Sequence, residues 1–291
     1  MTAAGGPRVL VIVPAHNEER VIARGVRALL DAPGVTVRVL VVPNGCTDAT
    51  ADRARGLGDP RVDVLELPQG GKAGAVRAGL AASRGEDVVA IVDADLVLDS
   101  AVLPGLAASL SGPAPLIAAP SLDLDTTGCS PLVRRHYRTW QREIHLRAGD
   151  IGARGIYAVN PAGLDRLRAM PDILADDAWA RAVFAPHERV VSAGTSTVFP
   201  ARTLRAQIRR RVRVLAGNRE LRRVLPPGAR PPALPGTPAV VTRTWRSRLR
   251  EDGPLGAAAH YAIDLPARTI DAWHRLAGRD AGWGTDATTR G

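Results

Sequence analysis

The chain lacks several features that would each assign it to a class of protein. It has only two cysteines, Cys46 and Cys129, without paired spacing and with no secretory leader, so a disulfide framework is excluded and a reducing compartment is indicated. No apolar run approaches the roughly 20 residues that cross a bilayer. We find no internal repeat. These absences predict a cytoplasmic protein that does not span a membrane.

Lysine is almost missing as well. Lys72 is the only one in the chain, and every other basic residue that contributes to the formal charge of +10 is arginine. Residues 1–150 hold 16 basic and 17 acidic side chains, residues 151–291 hold 23 and 12, and residues 202–250 hold 14 arginines against one acid, Glu220. Such a segment can meet phosphates, an anionic membrane surface or nucleic acid. Because GC-rich coding alone produces an arginine bias, position carries more weight than total charge.

What is present is an alternation of short apolar strands and helices. The 291 residues, 45% of them hydrophobic and 23% charged, fit a soluble globular protein. The first half predicts strands at 8–13, 36–42, 61–65 and 87–92. Between them we expect a helix that Asn17 caps, a helix at 47–57 that Thr47 or Asp48 caps, and a helix at 72–84. Strands alternating with helices in this way indicate a mostly parallel α/β sheet with right-handed crossovers.

The second half is richer in helix. We expect a helix near 101–110, a strand at 116–119, a helix from Ser130, a loop entering a strand at 152–158, and further helices at 161 and 176. A hairpin is expected at 190–199 and a basic amphipathic helix at 202–225. Six prolines and two glycines within 226–238 predict a linker. Beyond it we expect one or two helices in 239–278 and a disordered tail at 279–291.

Two carboxylates end the most apolar strand. Asp93 and Asp95 follow the run at 88–92, where the carboxyl ends of strands collect ligands in open α/β sheets. In extended backbone residues i and i+2 project to one side, so this pair can face one hard cation or the phosphates that it bridges. The alternative is a solvated strand end, since aspartate commonly opens a turn.

Three other elements carry charge at helix starts. A helix is predicted to start at Gly70, Gly71 and Lys72, and its free amides and dipole would suit a diphosphate. A simple glycine turn would give the same sequence pattern. The pattern does not match a P-loop. Asp176 and Asp177 open another helix, either to stabilise its dipole or to supply a general base. The arginines of 207–213 form a solvated basic face or a cationic site for a leaving group. The six histidines show no metal-ligand spacing.

Taken in order, these elements resemble family 2 glycosyltransferases, which have the GT-A fold, over about residues 8–215. Any one motif is weak, but six occur in the family's order and spacing: 11–19 (VIVPAHNEE), 44–50 (NGCTDAT), 71–75 (GKAGA), 93–95 (DAD), 175–177 (ADD) and 207–211 (QIRRR). The resemblance implies a Rossmann-like α/β sheet with a C-terminal helical extension. It also implies a catalytic domain at 1–225, with a nucleotide-sugar half at about 8–120 and an acceptor half at about 121–225.

The resemblance implies roles for individual residues. Asp176 and Asp177 would be the catalytic acids, with Asp177 as the base that deprotonates an acceptor hydroxyl. Asp95 would coordinate Mg²⁺ or Mn²⁺, with Asp93 beside it on ribose or sugar. The nucleotide-sugar pocket would comprise Pro14, His16, Glu18, Asn44, Asp48, Lys72, Asp93 and Asp95. The diphosphate and acceptor side would comprise Gly155, Gln207, Arg210 and Arg211.

The implied reaction is a single, inverting transfer from a UDP-sugar or GDP-sugar to an unidentified acceptor, with a lipid-linked acceptor as one alternative. Pro43 and Asn44 depart from the family's acidic base-binding pattern, which leaves uridine specificity open, and Arg211 stands where processive members have tryptophan. We expect no nucleic-acid partner. Peripheral contact with the inner face of a membrane through 202–250 stays open. The competing hypotheses are a sugar-phosphate nucleotidyltransferase and a non-enzymatic basic module that binds membrane or nucleic acid.

Overall fold

A computed structural model describes residues 5–145, 151–225 and 245–278. They contain eight strands: β1 (Arg8–Ala15), β2 (Thr36–Pro43), β3 (Val62–Val64), β4 (Val88–Val92), β5 (Val97–Leu98), β6 (Ile117–Leu124), β7 (Ile156–Val159) and β8 (Arg189–Val198). The helices are α1 (Ile22–Leu30), α2 (Thr50–Arg55), α3 (Lys72–Ala81), α4 (Val102–Ser109), α5 (Pro131–His145), α6 (Leu164–Arg168), α7 (Asp176–Ala182), α8 (Leu204–Val224) and α9 (Trp245–Leu276).

The strands form one mixed sheet in the order β3-β2-β1-β4-β7-β6-β8-β5. Strands β3, β2, β1 and β4 pair in parallel, with Val11 between Val39 and Ala90. Antiparallel pairs follow, of β4 with β7, β7 with β6 and β8 with β5. Strand β4 is buried along its whole length, as expected of an apolar strand covered on both faces. The predicted α/β fold class is confirmed, and its parallel part lies within the predicted nucleotide-sugar half.

The chain folds into two compact units. Among the described residues, we call 5–123 and 151–198 the sheet unit, and 124–145, 199–225 and 245–278 the helical unit. The predicted catalytic domain 1–225 spans parts of both. The predicted linker 226–238 and tail 279–291 lie outside the described residues.

Three local predictions for the sheet unit are wrong. Neither Thr47 nor Asp48 caps α2, whose N-cap residue is Ala49. Asn17 does not cap α1, which begins at Ile22. Its backbone is left-handed, with φ of 54°, a conformation that asparagine tolerates, and its side chain accepts a hydrogen bond from the Thr47 amide at 2.8 Å. Residues 190–199 do not form a hairpin, because β8 runs uninterrupted to pair with the short strand β5, which the sequence did not suggest.

The helical unit contains α5, α8 and α9. Thr203 caps α8 by accepting a hydrogen bond from the Ala206 amide. Helix α9 is interrupted at Gly253, where φ is 72°, and Pro254 then starts the second segment in a position that proline tolerates. The prediction of one or two helices after the linker is confirmed as two segments. Within the described ranges, no helix combines the length and apolarity needed to cross a bilayer.

Candidate active site

Lys72 joins two of the predicted acids in the sheet unit. Its Nζ lies 2.6 Å from Asp93 Oδ1 and 3.1 Å from Asp176 Oδ2. Asp93 directly follows β4, whereas Lys72 and Asp176 are the first residues of α3 and α7. The positive end of a helix dipole favours a carboxylate, which suits Asp176 but not Lys72. The acids therefore hold the lysine at a helix start that does not favour it.

The charges of this cluster do not cancel. Burial alone would lower the pKa of Lys72, but the carboxylates of Asp176, Asp93 and Asp177 outweigh it and raise that pKa above its usual value. Burial raises the pKa of Asp176, and Asp177 and Asp93 raise it further against the opposing effect of Lys72. One cation among three acids leaves a local excess of negative charge, which a further cation can offset.

Tyr157 completes the buried side of the cluster. It lies on β7 opposite Ile91 of β4, and its hydroxyl donates a hydrogen bond to Asp176 Oδ2 at 3.1 Å. Burial, followed by the charge of Asp176, raises the pKa of Tyr157 well above its usual value, so the hydroxyl keeps its proton and acts as a donor. Asp176 therefore takes one partner from α3 and one from the sheet.

The neighbouring acid is held differently. Asp177 is half-buried, and its Oδ2 accepts a hydrogen bond from the Ala153 amide at 3.2 Å while Oδ1 accepts from the Ala178 amide at 2.8 Å. Ala153 has a φ of 58°, a strained conformation for a residue with a Cβ. Two amides thus orient a carboxylate that is more exposed than Asp176.

The residue that precedes β7, Gly155, holds the Asp93–Asp95 turn in place. The Asp93 amide donates to the Gly155 carbonyl at 2.8 Å, and Gly155 has a φ of 67°. A Cβ at Gly155 would lie 2.6 Å from the nearest side-chain carbon of Leu96. The predicted acceptor-side glycine therefore also supports the carboxylate turn, in which Asp95 is half-buried.

Asn44 connects three segments at the carboxyl edge of the sheet. Its fully buried side chain donates to the carbonyls of Ala15 and Val42, at 2.9 and 3.1 Å, and accepts from the Gly71 amide at 2.9 Å. His16 Nδ1 lies 2.7 Å from the Asn44 carbonyl oxygen. Asn44 therefore positions the Gly71–Lys72 helix start, and its predicted contact with a nucleobase stays a prediction.

The other nucleotide-side residues lie near these loops. Pro14 is buried in β1, and the buried Glu18 donates its amide to Thr50 Oγ1 at 2.7 Å. Asp48 accepts from the amides of Thr50 and Glu19. Burial raises the pKa of Asp48, but hydrogen bonds from Thr50 outweigh it and lower the pKa below its usual value. Asp48 is therefore an ionised support for the loop.

Gln207, Arg210 and Arg211 lie on α8 in the helical unit. Gln207 Oε1 accepts a hydrogen bond from the Tyr137 hydroxyl at 2.6 Å, and Arg210 donates to the same hydroxyl at 3.3 Å. Arg211 forms an ion pair with Asp264 of α9 at 2.7 Å. The predicted diphosphate and acceptor role of these three residues stays a prediction.

Sequence reasoning did not single out Tyr157 or the Ala153 amide. The signal for Tyr157 was a phenol in an otherwise apolar strand, since a buried hydroxyl needs a partner. Nothing in the sequence marked Ala153, because alanine rarely adopts a positive φ.

Comparison with solved structures identifies the same fold elsewhere. The chain superposes on the mannosyltransferase PcManGT of Pyrobaculum calidifontis, solved in complex with GDP-Man and Mn²⁺, with a TM-score of 0.59 and 22% identity over 94% of this chain and 81% of that one. The sequence model of glycosyl transferase family 2 matches residues 10–157. The chain belongs to glycosyl transferase family 2.

Curated relatives match shorter stretches. The succinoglycan biosynthesis protein ExoO of Rhizobium meliloti is 38% identical over 90 residues, which cover 31% of this chain and 26% of the relative. The dolichyl-phosphate beta-glucosyltransferase of Drosophila melanogaster is 39% identical over 98 residues, covering 29% of this chain and 30% of the relative. The matched segments therefore span about a third or less of these two proteins.

Proposed function

We propose that the chain transfers one sugar from a nucleoside-diphosphate sugar to an acceptor hydroxyl, inverting the anomeric configuration. The observation that carries this proposal is the cluster in which Lys72 bridges Asp93 and Asp176 beside the backbone-held Asp177. It combines a cation for a departing diphosphate with a carboxylate for an incoming nucleophile. Family membership supports the same reaction class.

Asp177 is the proposed general base. Of the two adjacent acids it is the more exposed, and its hydrogen bonds come from backbone amides rather than from a cation. A carboxylate in such a place can take the proton of a hydroxyl as that oxygen attacks the anomeric carbon. Asp176, which is buried between Lys72 and Tyr157, instead positions the lysine.

Lys72 and a divalent cation would stabilise the leaving group. Asp93 and Asp95 offer the hard oxygen ligands that Mg²⁺ and Mn²⁺ take. Over the described ranges, no three His, Cys, Asp or Glu side chains converge to enclose an ion, so this donor set fits a cation that completes its shell with phosphate and water. When bound, the ion would offset the charge that develops on the diphosphate.

The donor is proposed to be a UDP-sugar or a GDP-sugar. Because the Pyrobaculum protein with this fold was solved with GDP-Man and Mn²⁺, GDP-mannose with Mn²⁺ is the first pair to test. A thermal-shift panel of nucleoside diphosphates and their sugars, with and without Mn²⁺, would select the base before the acceptor is known. Gln207, Arg210 and Arg211 are proposed to contact the diphosphate or acceptor.

The decisive variant is Asp177→Asn. We expect transfer, or hydrolysis of the donor if no acceptor is known, to fall about 10²–10⁴-fold because the base is lost, while donor affinity changes less than threefold. Asp172→Asn, which alters an exposed acid in the same region, is the matched control and should keep full turnover. Unchanged turnover in Asp177→Asn would contradict the assignment, as would release of pyrophosphate from a nucleoside triphosphate. The anomeric proton of the product, read by NMR, tests inversion.

A further inference from the structure

The second segment of α9 presents its leucines outward. Leu255, Leu265 and Leu276 are 74%, 58% and 89% exposed, and Trp273 is 51% exposed. With Ala258, Ala262, Thr269 and Ala272 they recur every three or four residues, which places them on one side of the helix. None of these positions holds a charged residue.

The opposite side of the same segment holds its acids. Asp264 and Asp271 are buried, Asp264 pairs with Arg211 at 2.7 Å, and Asp271 pairs with Arg219 at 2.7 Å. A helix at a water-exposed surface normally turns its charges outward and its leucines inward. Here Arg268 and Arg275 do face outward, but they flank exposed leucines and Trp273, and an apolar outer side edged by cations suits a surface that meets an apolar environment.

A cationic groove adjoins this apolar side. It has a volume of about 470 Å³ and is lined by Leu132, Arg134, Arg135 and Arg138 of α5 together with Leu255. Arg135 donates to the Asp252 carbonyl at 2.9 Å, so α9 fixes one of the three cations. Leu255 belongs to both features, so the groove opens directly onto the apolar side.

We propose that the apolar side of α9 lies in the surface of an anionic lipid bilayer and that the α5 groove receives a lipid phosphate. An amphipathic helix with tryptophan and leucine outward and arginines alongside has the composition of an interfacial helix. The sequence left membrane contact through 202–250 open, whereas the surface that we propose lies on α5 and α9. The inference does not depend on the proposed sugar transfer.

Charge favours a bilayer over a second copy of this chain. Residues 124–145, 199–225 and 245–278 carry 18 arginines and seven acids. Pairing two such helical units would bring like charges together, whereas an anionic leaflet complements them. Helix α9 would lie on the bilayer rather than cross it, because it lacks a sufficiently apolar window.

The test is co-sedimentation of the full chain with phosphatidylcholine vesicles that contain about 30% phosphatidylglycerol. We expect binding to these vesicles at least tenfold tighter than to phosphatidylcholine alone. The double variant Leu265→Glu, Leu276→Glu should bind at least tenfold more weakly without a change in its circular dichroism. Arg138→Gln should lose about fivefold, on anionic vesicles only.

The double variant Val97→Glu, Val191→Glu is the matched control, because it adds the same two charges at exposed apolar positions of the sheet unit. Its vesicle binding should equal that of the parent protein. Absent binding by the parent protein, or equal binding by the leucine double variant, would overturn the proposal. A dimer in sedimentation equilibrium that the leucine double variant dissociates, without vesicle binding by the parent, would instead assign the surface to a second copy.

Discussion

Asp176 in the sheet unit and Asp264 in the helical unit are both buried, yet their acidities shift in opposite directions. Burial raises the pKa of Asp176 because only one lysine opposes it among three acids. Burial would raise the pKa of Asp264 too, but hydrogen bonds and charge from Arg268 and Arg211 outweigh it and lower the pKa. The comparison separates a cluster with one cation among three acids from one in which two arginines pair with a single acid.

This difference corresponds to different uses. In the second cluster Asp264 joins α9 to Arg211 of α8, and its ionisation adds stability at neutral pH. Excess negative charge in a buried cluster destabilises the folded protein. Such a cluster is typical of a site that a ligand completes. The local charge balance therefore separates Asp264 from Asp176, for which a role in the site is proposed, where residue type and burial do not.

Removing Lys72 should have the largest effect. Lys72→Met leaves Asp93 and Asp176 without their shared cation, so we expect kcat/KM for donor to fall about 10²–10³-fold. Arg77→Met, which removes another cation from α3, should change kcat/KM less than twofold. Equal losses in both variants would mean that α3 needs positive charge in general rather than Lys72.

Removing the Asp264 carboxylate should lower the stability of the protein rather than its turnover. Asp264→Asn leaves Arg211 and Arg268 without a carboxylate partner, and breaking a buried pair costs about 3 kcal/mol of unfolding free energy. Chemical denaturation measures this loss. Asp165→Asn, which breaks an exposed pair with Arg168, should cost less than about 0.5 kcal/mol. A similar cost for the two variants would refute the importance of burial.

The opposite pKa shifts predict opposite pH dependences of stability. For Asp264 the folded pKa lies below 3.8, so its contribution is present above that pH and is lost as pH falls through the folded value. For Asp176 the folded pKa lies above 3.8, so its contribution is present below that pH and is lost as pH rises through the folded value. Each asparagine variant is compared with the parent by denaturation across pH, and the stability difference should change with pH in opposite directions for the two variants. Parallel pH profiles would contradict the contrast.

Removing the Tyr157 hydroxyl should have the smallest effect. Tyr157→Phe deletes one hydrogen bond to Asp176, worth about 1 kcal/mol, so we expect turnover to fall about fivefold and its pH profile to shift. Tyr261→Phe deletes the same atom in the helical unit and should leave both unchanged. A drop in turnover without a shifted pH profile would limit Tyr157 to packing.

Sequence alone predicted much of the sheet unit because its parallel strands gather their carboxyl ends at one edge. The resemblance to family 2 glycosyltransferases, rather than that geometry, assigned Lys72, Asp93 and the 176–177 pair to one site in advance. The sequence could not show that Asp176 rather than Asp177 contacts Lys72. The orientation of the first turn of α7 decides which of these two adjacent side chains faces the lysine. The sequence likewise predicted one or two helices in 239–278, but not that Asp264 and Asp271 of α9 are buried.

Because the chain has a single lysine, acylation of that side chain can be detected at one position. Apart from the N-terminal amine, Lys72 is the only primary amine in the chain, and its two ion pairs keep it protonated and unreactive towards acylating reagents. A donor or metal that draws Asp93 away would change that reactivity. One modified peptide in a mass spectrum would therefore report the state of the carboxylate cluster, and it would do so before any acceptor has been identified.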